Sequence, residues 1–145
     1  MPASGTEAAI YEAIVSFASQ ISVVPAMPIA LPGVVFLTPN ANAPYLVASI
    51  VPNTATLNGM AFDTTIDNRG LLQISVNWKS GVGMLAPMNV ASQIVKIFKP
   101  GTRITLNGVT VFFEDQPRIV NPMQVSDMVT IPVIMQWRCL TPANV

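Results

Sequence analysis

The heptapeptide Leu72-Gln73-Ile74-Ser75-Val76-Asn77-Trp78 alternates apolar and polar side chains without interruption. This period of two predicts a β-strand with one buried and one solvated face, because successive side chains on a strand point to opposite faces. Residues 129–137 alternate in a similar way and predict a long last strand. Pro132 within it has no N–H to donate, so we expect it at an edge, a bulge or a gap in the ladder.

Two stretches with helical periodicity stand on either side of the first of these strands. Apolar residues at intervals of three and four predict an N-terminal helix within 6–22, after the capping-box sequence Ser4-Gly5-Thr6-Glu7. The same spacing predicts a second helix at about 87–99, which begins at Pro87 and ends before Pro100-Gly101. Each helix carries one apolar stripe, so we expect both to pack on one face of a sheet.

The other expected elements follow from β-branched residues and turn signals. Asn107-Gly108 predicts a type I′ turn between strands at 103–106 and 109–113, and Asn58-Gly59 is a second hairpin signal. The remaining predictions are strands at 45–51 and 60–66, turns at 53–59 and 67–70, a strand-to-helix loop at 79–84, a loop at 114–124, a loose tail at 141–145 and at most a short strand at 34–37.

Residues 23–44 contain five prolines and no charged residue. Such a segment is not a typical flexible linker, and it predicts an extended arm or a long ordered loop. Its apolar side chains need a surface to lie on, which is either the chain's own domain or a neighbour.

These elements predict one domain over residues 1–145. Its class is α+β: a mainly antiparallel sheet with two amphipathic helices packed on one face, plus a proline-rich arm. The sheet and the second helix occupy 45–138.

The composition excludes several kinds of site. The chain has 7 basic and 7 acidic residues and no histidine. Without histidine there is no imidazole base for Ser-His or Cys-His catalysis, and one cysteine with scattered carboxylates is a poor zinc ligand set. A zero net charge gives no basic footprint for tight nucleic-acid binding. We therefore expect no enzyme activity, no cofactor and no metal.

The possible chemical motifs are individually weak. Glu114 and Asp115 are adjacent on a strand end and point to opposite faces, so they do not converge on one atom. Asp63 and Asp67 fit turn chemistry and lack the spacing of a calcium loop. The loop at 80–83 lacks the spacing of a phosphate-binding motif. Cys139 has no partner for an intrachain disulfide and is expected to be a small buried or rim residue.

The hydropathy indicates contact with other subunits. Hydrophobic residues make up 51% of the chain and charged residues only 10%, against about 25% charged in a typical globular protein. Apolar runs are too short to span a membrane, and no signal peptide is evident, so no membrane association is expected. The alternative is a monomer with scattered apolar surface residues.

The basic residues cluster in the middle of the sequence, which favours head-to-tail contact between unlike charged faces, although ordinary scattered surface charge explains them equally well. Tyr45, Trp78 and Trp137 are either interface anchors or, more commonly at alternating positions, core residues. The candidate interface residues are Arg69, Lys79, Gly81, Val82, Gly83, Met84, Lys96, Lys99 and Arg103.

The order of several short motifs resembles one known family. The motifs are Ile10-x-x-x-Ile14 with Phe17, Tyr45-Leu46-Val47, Gly70-Leu71-Leu72-Gln73-Ile74-Ser75-Val76, Gly81-x-Gly83, Ile94-x-x-x-Phe98-x-x-Gly101-Thr102 and Ile131-Pro132-Val133. Over about residues 6–138, the chain resembles the tail terminator, or tail completion, proteins of long-tailed bacteriophages, related to the lambda terminator.

This resemblance implies an α+β subunit of a hexameric ring at the head-proximal end of the virion tail. The ring would cap the tail tube protein, end tube polymerisation and join the tail to the head–tail connector protein, after assembly in the host cytoplasm. DNA is expected to pass through the lumen without specific binding. The alternatives are a head–tail adaptor, a tail tube subunit or, from another class, a small monomeric ligand-binding domain.

Overall fold

A computed structural model describes residues 6–34, 43–57, 65–106, 108–125 and 127–142. The elements of these ranges are α1 Thr6–Ser19, β1 Ile29–Ala30, β2 Tyr45–Leu57, β3 Thr65–Lys79, α2 Leu85–Ile97, β4 Thr102–Leu106, β5 Val109–Phe113, β6 Arg118–Ile119, β7 Met123–Val125 and β8 Met128–Pro142.

The strands form one mixed sheet in the order β1-β2-β3-β8-β5-β4, with β6 and β7 also paired to β8. The pairing of β1 with β2 is parallel, and the other strand pairs described are antiparallel. The α+β class is thus confirmed, with a sheet that is mixed because β1 runs alongside the start of β2 in the same direction.

The central strands β3 and β8 are paired along their whole length, from Thr65 opposite Pro142 to Lys79 opposite Met128. The predicted turn at 67–70 is wrong, because these residues continue β3. The predicted loose tail is also wrong at Thr141, which is a buried residue of β8. Residues 143–145 of that prediction lie outside the described ranges.

The second edge of β8 is paired with three short strands in succession. Val111 of β5 lies opposite Cys139, Ile119 of β6 opposite Val133, and Met123 of β7 opposite Thr130. The loop predicted at 114–124 therefore contains β6 and the start of β7, which are separated by three residues that end in Pro122. Pro132 lies between the parts of β8 paired with β6 and β7, and its carbonyl accepts a hydrogen bond from the Val120 N–H at 2.9 Å.

The other boundaries differ by a few residues. α1 ends at Ser19 rather than residue 22, and α2 runs from Leu85 to Ile97, so that Pro87 is its third residue. β2 continues to Leu57, so the turn predicted at 53–59 is wrong for its first five residues. The Asn58-Gly59 signal, most of the strand predicted at 60–66 and most of that at 34–37 lie outside the described ranges.

The core lies between the helices and the sheet. α1 contacts β4 and β5, and α2 contacts β3 and β8. Phe98, after α2, meets the rings of Phe17 and Phe113 edge to face, with centroids 5.2 and 5.0 Å apart. The residues that fill the core from both sides include Ile10, Ile14, Val90, Ile94, Leu72, Ile74, Val76, Val133 and Met135.

The proline-rich segment lies on its own domain over residues 23–34. Val23 is buried, and the Val24 N–H and C=O both hydrogen-bond the side-chain amide of Gln93 on α2, at 2.8 Å each. Beyond β1, the Tyr11 hydroxyl donates to the Pro32 carbonyl at 3.3 Å. These contacts show that at least this part of the segment packs within the subunit.

Candidate functional site

The candidate interface residues lie in separate regions of the subunit. Arg69 and Lys79 are ten residues apart on β3, which corresponds to about 33 Å along an extended strand. We call the end of the sheet at Lys79 the loop end, since residues 80–84 follow it. The opposite end, where β3 begins at Thr65, is the hairpin end.

The loop end presents exposed apolar side chains. The Ser80 N–H donates to the Asp127 carbonyl at 3.0 Å, which holds the start of the loop to the residue that precedes β8. Gly81 and Gly83 have φ of 86° and 89°, a region that side chains with a Cβ rarely adopt. Val82 is 60% exposed and Leu85, the first residue of α2, is 77% exposed.

Three cations lie around the end of α2. Lys96 is in its last turn, where the helix dipole favours positive charge. Lys99 is exposed, and its carbonyl accepts hydrogen bonds from the Thr102 N–H and hydroxyl. Arg103 on β4 lies over the ring of Phe112, with Cζ 5.2 Å from the centroid.

At the hairpin end, four charged side chains form an ion-pair cluster, which we call the Asp67 cluster. Arg69 Nε donates to Asp67 Oδ2 at 3.0 Å, and Arg138 Nε donates to Asp67 Oδ1 at 2.9 Å. Arg138 also reaches Glu114, with Nη1 and Oε1 3.4 Å apart. Each oxygen of one carboxylate is thus held by a different guanidinium, on adjacent strands.

The electrostatics of the cluster favour the charged forms. Burial alone would raise the pKa of Asp67, but hydrogen bonds and charge attraction from Arg69 and Arg138 outweigh it and hold that pKa below its usual value. The hydrogen bond to Asp67 raises the pKa of Arg138 further. Asp67 and Arg138 are therefore both held in their charged forms.

Gly70 and Trp137 are cross-strand partners beside this cluster. A Cβ at Gly70 would lie 2.4 Å from Cζ2 of Trp137 and 2.6 Å from the Val51 carbonyl oxygen. The absence of a side chain at Gly70 thus leaves the space that the Trp137 indole occupies. Trp137 Nε1 is buried and has no hydrogen-bond partner among the described residues.

The remaining candidates are in the core or outside the described ranges. Trp137 is 5% exposed and Trp78 packs partly buried against the core, in agreement with the core role. Cys139 is buried as predicted, and burial raises the pKa of its thiol. Asp63 is outside the described ranges. Among the residues described, no three His, Cys, Asp or Glu side chains gather as metal ligands, and no helix is long and apolar enough to cross a membrane.

Sequence reasoning missed the Asp67 cluster. The Asp67-x-Arg69 spacing, which places both side chains on one face of a strand, was the available signal. Arg138 is 69 positions after Arg69, and only the register of β3 against β8 brings the two together.

Comparison with known proteins gives a family and a fold. The sequence profile of a family described as phage tail terminator protein matches residues 9–137. A solved structure with 22% sequence identity superposes with a TM-score of 0.69 over 92% of each chain, which shows a shared fold. No curated protein matches the sequence at a significant level.

Proposed function

Because the chain belongs to the phage tail terminator family, whose members are structural proteins of the bacteriophage tail, we propose that it forms a ring that caps the tail tube. Six subunits is the number that the resemblance implies. The ring ends tube polymerisation and joins the tail to the head connector, at the head-proximal end of the tail. Assembly takes place in the host cytoplasm.

The observation that carries this proposal is the extent of the family match. Residues 9–137 include most of α1, the whole of α2 and the sheet as far as Trp137. The matched region is thus nearly the whole domain, and the family role is proposed for the domain as a unit.

The mechanism is passive and needs two unlike ring faces. The loop end offers exposed apolar side chains such as Val82 and Leu85, whereas the hairpin end offers the Asp67 cluster. A ring whose faces carry these two ends matches the tube on one side and does not seed another tube ring on the other. The candidate contacts remain Arg69, Lys79, Gly81, Val82, Gly83, Met84, Lys96, Lys99 and Arg103.

No catalytic step and no cofactor is part of the proposal. DNA passes through the lumen without specific binding, because the net charge of the chain is zero. Duplex binding at physiological salt would contradict this part.

A charge introduced at Val82 tests whether the loop end forms a contact in the assembly. Val82→Asp is expected to impair assembly of the ring on tubes without unfolding the domain, because a carboxylate in an apolar contact loses its hydration. Val82→Ala, at the same position and uncharged, is the matched control. Deletion of Gly81–Gly83 is expected to have the same effect as Val82→Asp. Normal rings from both disruptive variants would contradict a contact at this loop.

Tube length separates this proposal from its neighbours. Added to polymerising tail tube protein, a terminator shortens the tubes and is found at one end of each. A tube subunit polymerises alone into long tubes, and a head–tail adaptor binds the connector rather than the tube. A ligand-binding domain leaves tube length unchanged and is a monomer at micromolar concentration.

A further inference from the structure

The chain has no charged residue from Ala13 to Phe62, a stretch of fifty residues in a protein of which a tenth is charged. Among the described residues this stretch supplies the second half of α1, β1 and the whole of β2. The edge of the sheet that β1 and β2 form is therefore built from uncharged residues.

β2 is the long strand at this side. β1 pairs with it only at Leu46 and Val47. From Ala48 onward, no strand in the described part of the chain pairs with the outer edge of β2, while β3 pairs with its inner edge. A bulge between Pro52 and Thr54 interrupts the strand, so Ala48–Val51 is the regular segment of this edge.

Edge strands that stay solvated are usually protected by charged side chains, particularly lysine, because unpaired N–H and C=O groups bind other strands. Residues 13–62 contain no charged side chain, so the segment Ala48–Val51 has no charged neighbour in the sequence to protect it. Val51 is 52% exposed. Its sequence favours pairing over solvation.

β4 is the strand at the opposite side of the described sheet, and β5 pairs with its inner edge. It has five residues, close to the length of Ala48–Val51. Its one charged side chain, Arg103, lies over the ring of Phe112. The two edges are therefore unlike in sequence and similar in length.

We infer that the β2 edge at Ala48–Val51 binds the outer edge of β4 of a second copy of this chain, so that the sheet continues from one subunit to the next. This inference rests on the ring proposed above. A contact between two unlike surfaces is heterologous and generates a closed ring when the rotation closes, whereas pairing of β2 with β2 stops at two copies. Main-chain hydrogen bonds provide the affinity, and on the β2 side the uncharged side chains avoid the cost of burying unpaired charge.

A charge on the edge strand tests the contact. Val51→Lys is expected to weaken association by about tenfold or more, measured by the mass of the assembly over a dilution series. Met123→Lys is the matched control, because Met123 is 53% exposed and also lies on a strand. Circular dichroism checks that both variants fold.

Hydrogen exchange of the unmodified protein keeps the test independent of any variant. Amides on the outer edges of β2 and β4 are expected to be protected in the ring and to exchange in the dissociated subunit. Rings in which these amides exchange as in the monomer, or rings of Val51→Lys with unchanged affinity, overturn the edge pairing and leave the ring function standing. An unmodified chain that forms no ring, alone or on tubes, overturns the proposed function itself.

Discussion

Asp67 accepts hydrogen bonds from two arginines although only 9% of its side chain is exposed. Asp67→Asn is expected to lower the free energy of unfolding by about 1–3 kcal/mol, because it leaves two guanidinium groups without their shared counter-charge. Denaturant unfolding measures the change. Glu114→Gln, at the exposed rim of the same cluster, should cost less, and equal losses would contradict the central role of Asp67.

The stability that the Asp67 carboxylate contributes depends on pH. Its pKa is lower in the folded state than its ordinary value of 3.8. The carboxylate therefore contributes stability that is fully present above pH 3.8 and is lost as the pH falls through the folded pKa. Unfolding measured between pH 7 and pH 2 should therefore show a steeper acid loss for the unmodified protein than for Asp67→Asn. Parallel curves would show that the carboxylate is not linked to folding.

Gly70 is the second residue on which this end of the sheet depends. Gly70→Ala places a methyl group against the Trp137 ring and the Val51 carbonyl, and we expect a loss of about 1–3 kcal/mol in stability. The control is Gln136→Ala on β8, an exposed position beside Trp137. A Gly70→Ala protein as stable as the control would show that the indole moves at no cost.

These residues also explain one wrong prediction. Asp67-Asn68-Arg69-Gly70 carries the residue types that favour turns, yet it lies inside β3. Two arginines neutralise Asp67, and Asn68 donates to Thr141 and to the Cys139 carbonyl. Gly70 accommodates the indole. Apart from Arg69, the groups that compensate these residues lie on β8, so local sequence does not reveal them.

At the scale of elements, the proline-rich segment is attached to α2 through one side chain. Gln93→Ala removes two hydrogen bonds of 2.8 Å to the Val24 backbone, and we expect a loss of about 1–2 kcal/mol. Limited proteolysis should then cut within residues 23–34 faster than in the unmodified protein. Ser92→Ala, exposed on the same helix, is the control, and equal cleavage rates would show that Gln93 does not hold the segment.

Elements with a strong period were predictable, and short elements were not. The alternation at 72–78 lies within β3, the spacing at 87–99 differs from α2 by two residues at each end, and the hairpin of β4 and β5 was placed within a residue. β1, β6 and β7 have two or three residues each. Two or three residues are too few to show an alternating pattern. These strands form because longer strands offer them an edge to pair with.

At the scale of the whole molecule, the two ends of the sheet differ in chemistry. Apolar side chains are exposed at the loop end, and paired charges occupy the hairpin end. Of the candidate interface residues, Gly81, Val82, Gly83 and Met84 are contiguous in sequence and lie together, whereas Arg69 and Lys79 are at opposite ends of β3. The candidate interface residues therefore include one contiguous loop but do not form a single surface patch.

The most direct test of the central claim is the mass of the purified protein in solution, measured by light scattering, with negative-stain images of the same peak. The ring account predicts closed rings of about six subunits, because a heterologous contact whose rotation closes gives a ring. If only monomers form, the same measurement is repeated after mixing with tail tubes. A protein that stays monomeric and leaves the tube ends uncapped would contradict the account.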